Sequence, residues 1–285
     1  MRVSCPICER QTRPVFRKNE TDVLDCAQCR HRCAGLDVAD DHTSVYYDDD
    51  YFTDGADGYS NYLGDGDIVR QRGVWYANLL QRHGVEPGRV LDVGAAAGFF
   101  LKGLTDAGWN GIGLEPNTGM ANHATHETGV DVRTGTLESL AADEQFDLIS
   151  IIQVVAHLTD PMQAFNQAAT HTKTGGHWIV ETWNYRSLVA RLMGRSWHEY
   201  SPPRTLHWFS PTSIAKMADR CGMELVAKGH PDKSISGEHA KSLLAHTTKN
   251  NRLARALFSP ARLIPDRMRI PYPADDLNWF LLRKL

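Results

Sequence analysis

The sequence has 285 residues, of which 42% are hydrophobic and 23% are charged, as is usual for a globular protein with one large domain or a domain and a small appendage. Its formal net charge of −3 gives the whole chain no nucleic-acid-binding footprint. No apolar run is long enough to span a bilayer and the N-terminus has no signal-peptide core, so we expect a cytoplasmic, reducing location.

Residues 1–36 are rich in cysteine and in basic side chains. Five of the six cysteines lie there, and seven Lys or Arg residues stand against four acids. Cys5 and Cys8 form one C-x2-C pair, and Cys26 and Cys29 form a second. This spacing is typical of a structural zinc site, in which four thiolates close a tetrahedral shell around the ion. We therefore predict a small zinc ribbon in residues 1–36.

The zinc prediction has alternatives. Disulfides are disfavoured in a reducing compartment, and a segment this short needs a metal to supply its folding free energy. His31 or Cys33 could replace one ligand, but the symmetry of the two pairs favours the other four cysteines. Because such a shell has no open position, we expect no catalysis at the metal.

Residues 37–67 are acidic and rich in tyrosine. They contain ten aspartates, five tyrosines and no Lys or Arg. A solvated acidic linker would fit the charge, but so many tyrosines indicate a connector that packs on the core.

From residue 68 onward, helical and strand patterns alternate. Helices are predicted at 68–83, 99–107 and 118–128, from Pro161 onward, and at 211–221 after a Ser210 N-cap. Strands are predicted at 89–93, 110–114, 130–133, 146–155, 177–182, 223–228 and 277–283. This alternation predicts an α/β domain over residues 68–285, with a mostly parallel sheet covered by helices on both faces.

The strand at 89–93 ends in a turn of small residues, VLDVGAAAG. Gly and Ala let a ligand approach the backbone, and the next helix offers free N–H groups. Glu115 ends the next strand 23 residues after Asp92, near the spacing of a ribose-binding carboxylate. Close helix–strand packing could also explain the turn, and Glu115 could cap the helix after Pro116. Ala96 fills the central glycine position of the NAD pattern, which makes that match poor.

Four motifs, in their order and spacing, resemble the class I S-adenosylmethionine-dependent methyltransferases. They are VLDVGAAAG (90–98), GIGLEP (111–116), GTLESL (135–140) and FDLISIIQVVAHLTDP (146–161). The resemblance covers about residues 70–225, with a closing strand at 277–283. It implies a doubly wound, seven-stranded Rossmann-like sheet and S-adenosylmethionine as the cofactor.

The resemblance also implies which residues hold this cofactor. In that family the first turn holds the methionine moiety, the acid after the second strand holds the ribose, and the loop after the third lies along the adenine. The matching positions are Asp92, Gly94, Ala96, Gly98, Glu115, Pro116, Thr136, Leu137, Gln153 and Val154. Ala96 stands where glycine is common, and we expect the turn to tolerate it with a negative φ.

Residues 181–214 resemble a segment of zinc-ribbon methyltransferases that serve surface-glycan and natural-product pathways. Those proteins also carry an N-terminal C-x2-C pair and a Tyr-rich segment like YYDDDYF (46–52). We therefore expect substrate-lid insertions at about 184–210 and 229–276, and a small-molecule, sugar or glycan acceptor. Ala156 and Thr205 depart from this pattern, because an acid and a His are common at those positions.

Two histidines are candidates for a catalytic base. Methylation of a hydroxyl benefits from a general base, and His suits this role near neutral pH. His157 follows the fourth strand, where the carboxyl ends of parallel strands open onto a ligand crevice. His207 lies in the first insertion, beside tryptophans that could form a pocket lid or a buried loop core. A helix-cap or core role would equally explain His157.

Residues 241–272 hold seven Lys or Arg and one acid, Asp266. They could bind a phosphorylated acceptor or a membrane surface, or form a solvated helical face. We expect O-methylation of a small molecule or glycan, no nucleic-acid partner and no stable membrane insertion. The alternatives are an RNA base methyltransferase that holds RNA with the zinc ribbon, and a cofactor-binding subunit without activity. The oligomeric state stays open.

Overall fold

The computed structural model describes residues 4–37, 62–232, 234–238, 263–271 and 275–285, together with residues 42, 46, 240 and 241. Most of the acidic segment 37–67 and of the basic segment 241–272 lies outside these residues, and so do the predictions made for them. Among the described residues, no helix combines the length and the apolar character needed to cross a bilayer.

The N-terminal segment folds into a small antiparallel sheet. Its strands are β1 (Arg13–Lys18), β2 (Thr21–Asp25) and β3 (Arg32–Ala34). A fourth strand, β9 (His207–Trp208), comes from the distant 184–210 insertion and pairs antiparallel with β3. The sheet of the N-terminal segment is therefore completed by the rest of the chain.

The main sheet has seven strands. They are β4 (Arg89–Val93), β5 (Asn110–Glu115), β6 (Val132–Thr134), β7 (Phe146–Ile152), β8 (Thr172–Trp183), β10 (Met223–Gly229) and β13 (Leu277–Lys284). Their order is β6-β5-β4-β7-β8-β13-β10, and only the pairings of β13 with β8 and of β10 with β13 are antiparallel. The predicted doubly wound, mostly parallel sheet is confirmed. A separate pair is formed by β11 (Ser234–Ser236) and β12 (Arg269–Pro271).

Helices cover both faces of the sheet. They are α1 (Gly66–Arg82), α2 (Phe99–Asp106), α3 (Thr118–His123) with a π-helical turn at Ala124–Thr128, α4 (Pro161–Thr170), α5 (Leu188–Met193) and α6 (Pro211–Arg220). Side chains alternate across the central strands, so Leu148 packs on the α1–α2 side and Ile149 on the α4–α6 side. The core thus lies in two layers around the sheet.

The predicted helix starts have identifiable caps. The Asp160 carboxylate accepts hydrogen bonds from the backbone N–H groups of Met162 and Gln163 at 3.0 and 2.9 Å, and Pro161 occupies the first turn. Ser210 caps α6 and forms a reciprocal capping box with Ser213, so the predicted N-cap is confirmed.

Two strand boundaries differ from the prediction by three or more residues. The strand predicted at 146–155 ends at Ile152, because Gln153 has φ +60° and leaves the strand conformation. The strand predicted at 177–182 begins five residues earlier, at Thr172, although Gly175 and Gly176 interrupt its apolar pattern. The first difference matters for function, because it creates a tight turn at the carboxyl end of β7.

Candidate active site and candidate metal centre

The turn after β4 requires glycine at two positions. Gly94 has φ +70°, and a Cβ atom there would clash with the Val154 side chain. Gly98 has φ +74°, and a Cβ atom there would lie 2.5 Å from Val130 Cγ2. Both residues are therefore held to glycine by backbone conformation and by space. The turn brings Val154, from the end of β7, directly against the end of β4.

Ala96 occupies the centre of this turn in a left-handed conformation. Its φ is +46°, so the expectation of a negative φ is wrong. A left-handed backbone costs a non-glycine residue about 1–2 kcal/mol. The Ala96 N–H donates a hydrogen bond of 2.8 Å to Oε2 of Glu115, and this bond to a buried carboxylate helps to hold the strained backbone.

Glu115 ends β5 and is buried beside the turn. Its second oxygen, Oε1, accepts a hydrogen bond of 2.9 Å from the Asn117 N–H. Burial raises the pKa of Glu115, and the two N–H donors oppose that shift. The loop that contains Thr136 and Leu137 starts beside it, because the Gly135 N–H donates to the Glu115 carbonyl at 3.0 Å. In this loop Thr136 is exposed and Leu137 is buried.

Asp92 is a second buried carboxyl group on the neighbouring strand. Burial raises its pKa to about 7, the Ser150 hydroxyl lowers it through a 2.7 Å hydrogen bond to Oδ1, and Glu115 raises it further. No ion pair among the described residues involves either acid. Two buried carboxyls without a described cationic partner favour a positively charged ligand.

Gln153 is fixed at the end of β7 by one acid. Its backbone N–H donates to the Glu181 carbonyl at 2.8 Å, and its Nε2 donates to Glu181 Oε1 at 2.9 Å. The fully buried Glu181 carboxylate also contacts Arg72 and Tyr76 of α1. The amide Oε1 of Gln153 is left as the acceptor that could face a ligand. The acid inside the apolar strand HWIVETW was the signal for Glu181 that the sequence analysis missed.

Tyr62 packs against the turn. It packs with Ala96, Ala97 and Met120, and its ring centroid lies 5.9 Å from that of Phe99. Tyr62 belongs to the Tyr-rich segment 37–67, and nothing in the sequence distinguishes it from the other four tyrosines there. Pro116 follows Glu115 at a half-buried position. The predicted cofactor-binding residues therefore lie around one turn, with Thr136 at its periphery.

His157 lies in the turn that follows β7. Its backbone N–H donates to the Val154 carbonyl at 2.9 Å, and its Nδ1 lies 3.4 Å from the Arg204 carbonyl oxygen. Burial lowers the pKa of His157, while Glu199 and the Arg204 carbonyl act in the opposite direction. The side chain is half-buried. The lowered pKa favours the neutral imidazole.

His207 occupies a different environment. It is buried in β9, with Nδ1 3.2 Å from His31 Nε2 and Nε2 2.9 Å from the Leu158 carbonyl oxygen. If Nε2–H donates to that carbonyl, Nδ1 accepts from His31, so both ring nitrogens have partners. This position disfavours His207 as a base that takes a proton from an acceptor molecule.

The four predicted cysteine ligands come together. Their sulfur atoms all lie within 4.8 Å of one another, with 3.4 Å between Cys5 and Cys29 and 3.5 Å between Cys8 and Cys26. Tetrahedral zinc–thiolate bonds of about 2.3 Å require sulfur–sulfur distances of about 3.8 Å, so the cluster fits the ion. The neighbouring Cys29 thiol lowers the pKa of Cys5 to about 6. The alternative ligands, His31 and Cys33, lie outside this group.

The comparisons with known proteins agree with this geometry. Residues 70–228 match the family model described as a methyltransferase domain. The chain belongs to this methyltransferase family. It is an S-adenosylmethionine-dependent enzyme, and its turn of small residues beside two buried carboxyls fits a cofactor that carries a sulfonium and an ammonium group.

Relatives of the methyltransferase are distant. The ubiquinone biosynthesis O-methyltransferase of Alkalilimnicola ehrlichii is 27% identical over 190 residues, which cover 63% of this chain and 77% of that protein. The protein of the same name from Bradyrhizobium is 30% identical over 43% of this chain and 51% of its own length. The magnesium protoporphyrin IX methyltransferase of Synechocystis, solved with bound SAH, is 15% identical and superposes with a TM-score of 0.54, covering 86% of this chain and all of that one. This last likeness shows the fold.

The N-terminal sheet of the methyltransferase is tied to the insertion that precedes α6. Cys33 pairs with His207 in the β3–β9 register, and the Arg30 carbonyl accepts hydrogen bonds from Ser210 Oγ and Tyr185 Oη at 2.8 and 3.1 Å. Trp197 and Trp208 are buried in one cluster with Val23 and Ala34 of the N-terminal sheet. These tryptophans thus form a core shared by that sheet and residues 184–210.

Proposed function

We propose that this methyltransferase methylates a hydroxyl oxygen of a small-molecule acceptor, with His157 as the general base. The observation that carries the proposal is the half-buried imidazole of His157, held at the carboxyl end of β7 three residues after Val154, which packs against Gly94. The relatives named O-methyltransferases support oxygen as the methylated atom.

The ten predicted residues from Asp92 to Val154 form the proposed cofactor site. S-adenosylmethionine, when bound, supplies an electrophilic methyl group on a sulfonium. Glu115 offers carboxylate oxygens to ribose hydroxyls, and each oxygen has further acceptor capacity beyond the one N–H that it now binds. Gln153 offers its amide Oε1 to a donor, because Glu181 occupies its Nε2.

The geometry of His157 assigns its two ring nitrogens. If Nδ1–H donates to the Arg204 carbonyl, Nε2 carries the lone pair that accepts the hydroxyl proton. The pKa of His157 is lowered by burial, which keeps the imidazole neutral before the reaction. Glu199 favours the charged form, and so it stabilises the imidazolium that forms as the proton is transferred.

The acceptor is proposed only as a hydroxyl-bearing small molecule. The expected sugar, glycan or phosphorylated acceptor gains no support from the relatives, which are named for ubiquinone biosynthesis. The proposal also includes one structural zinc ion on Cys5, Cys8, Cys26 and Cys29. It divides the chain into a ribbon (1–36), a connector (37–67) and a methyltransferase domain (68–285).

The test is product analysis with a panel of acceptors. The protein is incubated with S-adenosylmethionine carrying a labelled methyl group and with phenols, catechols, sugars, amines or RNA, and the products are examined by mass spectrometry. Label on a hydroxyl oxygen of a small molecule is expected. Label on nitrogen, on carbon or on RNA would reject the proposal, as would tight cofactor binding without turnover on any acceptor.

A further inference from the structure

Helix α5 presents two leucines to solvent. Leu188 and Leu192 are 61% and 78% exposed, and they lie one helical turn apart on the same side. On the other side of the helix, Ala190 is buried, and Val189 and Met193 pack against the core shared with the ribbon. The helix is therefore anchored by one face while its most apolar face has no cover among the described residues.

The exposure of these leucines does not come from a frayed element. The Asp275 carboxylate accepts hydrogen bonds from the Leu188 and Val189 N–H groups at 2.8 and 3.1 Å. The Ser187 hydroxyl accepts from the Ala190 N–H at 3.0 Å. The first turn of the helix is thus capped by two side chains, and the leucines are held outward by a fixed backbone.

Exposed arginines flank the two leucines along the chain. Residues 182–198 contain Arg186, Arg191 and Arg195, all exposed, and no Asp or Glu. Lys18 of β1 joins them, because its Nζ donates to the Arg195 carbonyl at 3.2 Å. Asp275, the acid that contacts this helix, faces its backbone N–H groups. We call these two exposed leucines and three exposed arginines on and beside the helix the α5 surface (Leu188, Leu192, Arg186, Arg191 and Arg195).

We propose that the α5 surface docks the protein on an anionic lipid bilayer. Peripheral helices bind bilayers by placing apolar side chains below the headgroups and arginines among the anionic phosphates. A second copy of this chain fits the α5 surface less well than an anionic bilayer does, because the arginines of two facing α5 surfaces would repel each other. The short helix lies on the surface and does not cross the bilayer.

The α5 surface lies in the same chain segment as groups that are near His157. Helix α5 begins five residues after β8 ends and lies in the insertion that leads to β9, Arg204 and Glu199. The insertion that contributes groups near His157 would therefore lie on the bilayer. An acceptor dissolved in the lipid could then reach His157 without passing through water. The docking itself does not depend on the proposed reaction, and it is tested by binding alone.

The experiment is co-sedimentation of the full chain with vesicles. Mixed phosphatidylglycerol–phosphatidylcholine vesicles at low salt are compared with vesicles of phosphatidylcholine only. We test two double variants, Leu188→Ser/Leu192→Ser and Arg191→Gln/Arg195→Gln. Each should lower the constant for binding to anionic vesicles about tenfold or more. Added salt should weaken the binding of the wild-type protein to these vesicles. The matched controls are Leu285→Ser, at a 74% exposed leucine elsewhere, and Arg82→Gln on α1.

Three results would overturn the proposal. The first is no sedimentation of the wild-type protein with anionic vesicles, and the second is a Leu188→Ser/Leu192→Ser variant that binds as well as Leu285→Ser. The third is a wild-type dimer that the same double substitution converts to a monomer, because the α5 surface would then be an interface between copies. Thermal unfolding of each variant should match the wild type, since the replaced side chains are exposed.

Discussion

The backbone N–H of Ala96 donates a hydrogen bond of 2.8 Å to Oε2 of Glu115, which joins the turn after β4 to the end of β5. The carboxylate thus helps to hold the turn in its left-handed conformation, and in the proposed cofactor site it also binds the ribose hydroxyls. Its removal should therefore weaken both the turn and the binding of the cofactor.

We predict that Glu115→Ala weakens the binding of S-adenosylhomocysteine by roughly 10- to 150-fold. Hydrogen bonds to a buried charged group are worth about 1.5–3 kcal/mol, and the variant loses those to the ligand and to the turn. Isothermal calorimetry measures the effect. Glu127→Ala, at an exposed acid on the nearby π-helical turn, serves as the control and should bind normally. Equal affinities for the two variants would remove Glu115 from the site.

Gly94 of the same turn and Gly84, which follows α1, allow a test of backbone strain against steric clash. Gly84 has φ +75° and open space around its Cα atom, so Gly84→Ala measures the cost of the left-handed conformation alone, about 1–2 kcal/mol. Gly94→Ala should lose more free energy of unfolding, because its Cβ atom would also meet Val154. Ala96→Gly should raise the free energy of unfolding by about 1 kcal/mol, because glycine adopts the left-handed conformation without strain. Denaturant unfolding gives all three values, and similar losses for Gly84→Ala and Gly94→Ala would contradict the clash.

The raised pKa of Asp92 predicts how the stability of the cofactor-free protein changes with pH. Its pKa is 3.8 as a reference and about 7 in the fold, so between these values the folded protein binds more protons than the unfolded chain. The contribution of Asp92 to the free energy of unfolding should therefore fall as the pH rises from about 4 to 7, and it should stay constant above pH 7.

Asp92→Asn removes this titration. The variant should unfold at a higher temperature than the wild type at pH 8, and the difference should shrink at pH 5. Asp219→Asn, at an exposed position on α6, is the control and should follow the wild type at both values. If the unfolding temperatures of Asp92→Asn and the wild type differ by the same amount at pH 5 and at pH 8, Asp92 is ionised throughout this range.

The two histidines are separated by single-turnover methyl transfer. His157→Ala should lower the rate by about 10²–10⁴-fold while cofactor affinity is retained, because a base contacts the acceptor and not the cofactor. His207→Ala should mainly lower the unfolding temperature, since it removes a buried side chain with two hydrogen-bonding partners. The reverse ranking of rates would move the base to β9.

The pH profile gives a second test of His157. Its pKa lies below the reference of 6.5, so the neutral form persists to lower pH and the rate should decline only below about pH 6.5. A wild-type rate that already declines between pH 8 and 7, or a pH profile that is unchanged in His157→Ala, would contradict His157 as the base.

Metal analysis should find one zinc ion per chain. Cys26→Ser should lose most of it, whereas Cys221→Ser should keep it, because Cys221 lies outside the four-sulfur group. A chelator should raise hydrogen exchange in β2 and β3, and also in β9, which pairs with β3. Protection of β9 that survives zinc removal would show that the pairing does not need the metal.

The sequence predicts the main sheet well because its signals are local. Apolar runs such as FDLISII and the caps Asp160 and Ser210 act over a few residues, and the structure keeps them. The grouping of the four cysteines is also predictable from the sequence, because the short spacing within each pair is typical of residues that share one site.

The sequence does not predict pairing between distant strands or the hydrogen bonds that override local preferences. Strand β9 has two residues, and its partner β3 lies far away in the sequence, so neither pattern predicts the other. The φ of Ala96 was expected from residue type, but the Glu115 carboxylate overrides that preference. The aromatic residues of the 184–210 insertion could not be assigned to a pocket or a core until Val23 and Ala34 were seen to pack on them.

The pairing of β3 with β9 also constrains how the nascent chain matures. His31 and His207 are 176 positions apart, so β3 leaves the ribosome long before its partner strand is synthesised. Until then the ribbon exposes an unpaired strand edge and an uncovered apolar face, the kind of surface on which aggregation begins. Zinc bound early, as proposed for the four cysteines, would keep that edge short and ordered, and we then expect the yield of folded enzyme to depend on the metal supply during translation.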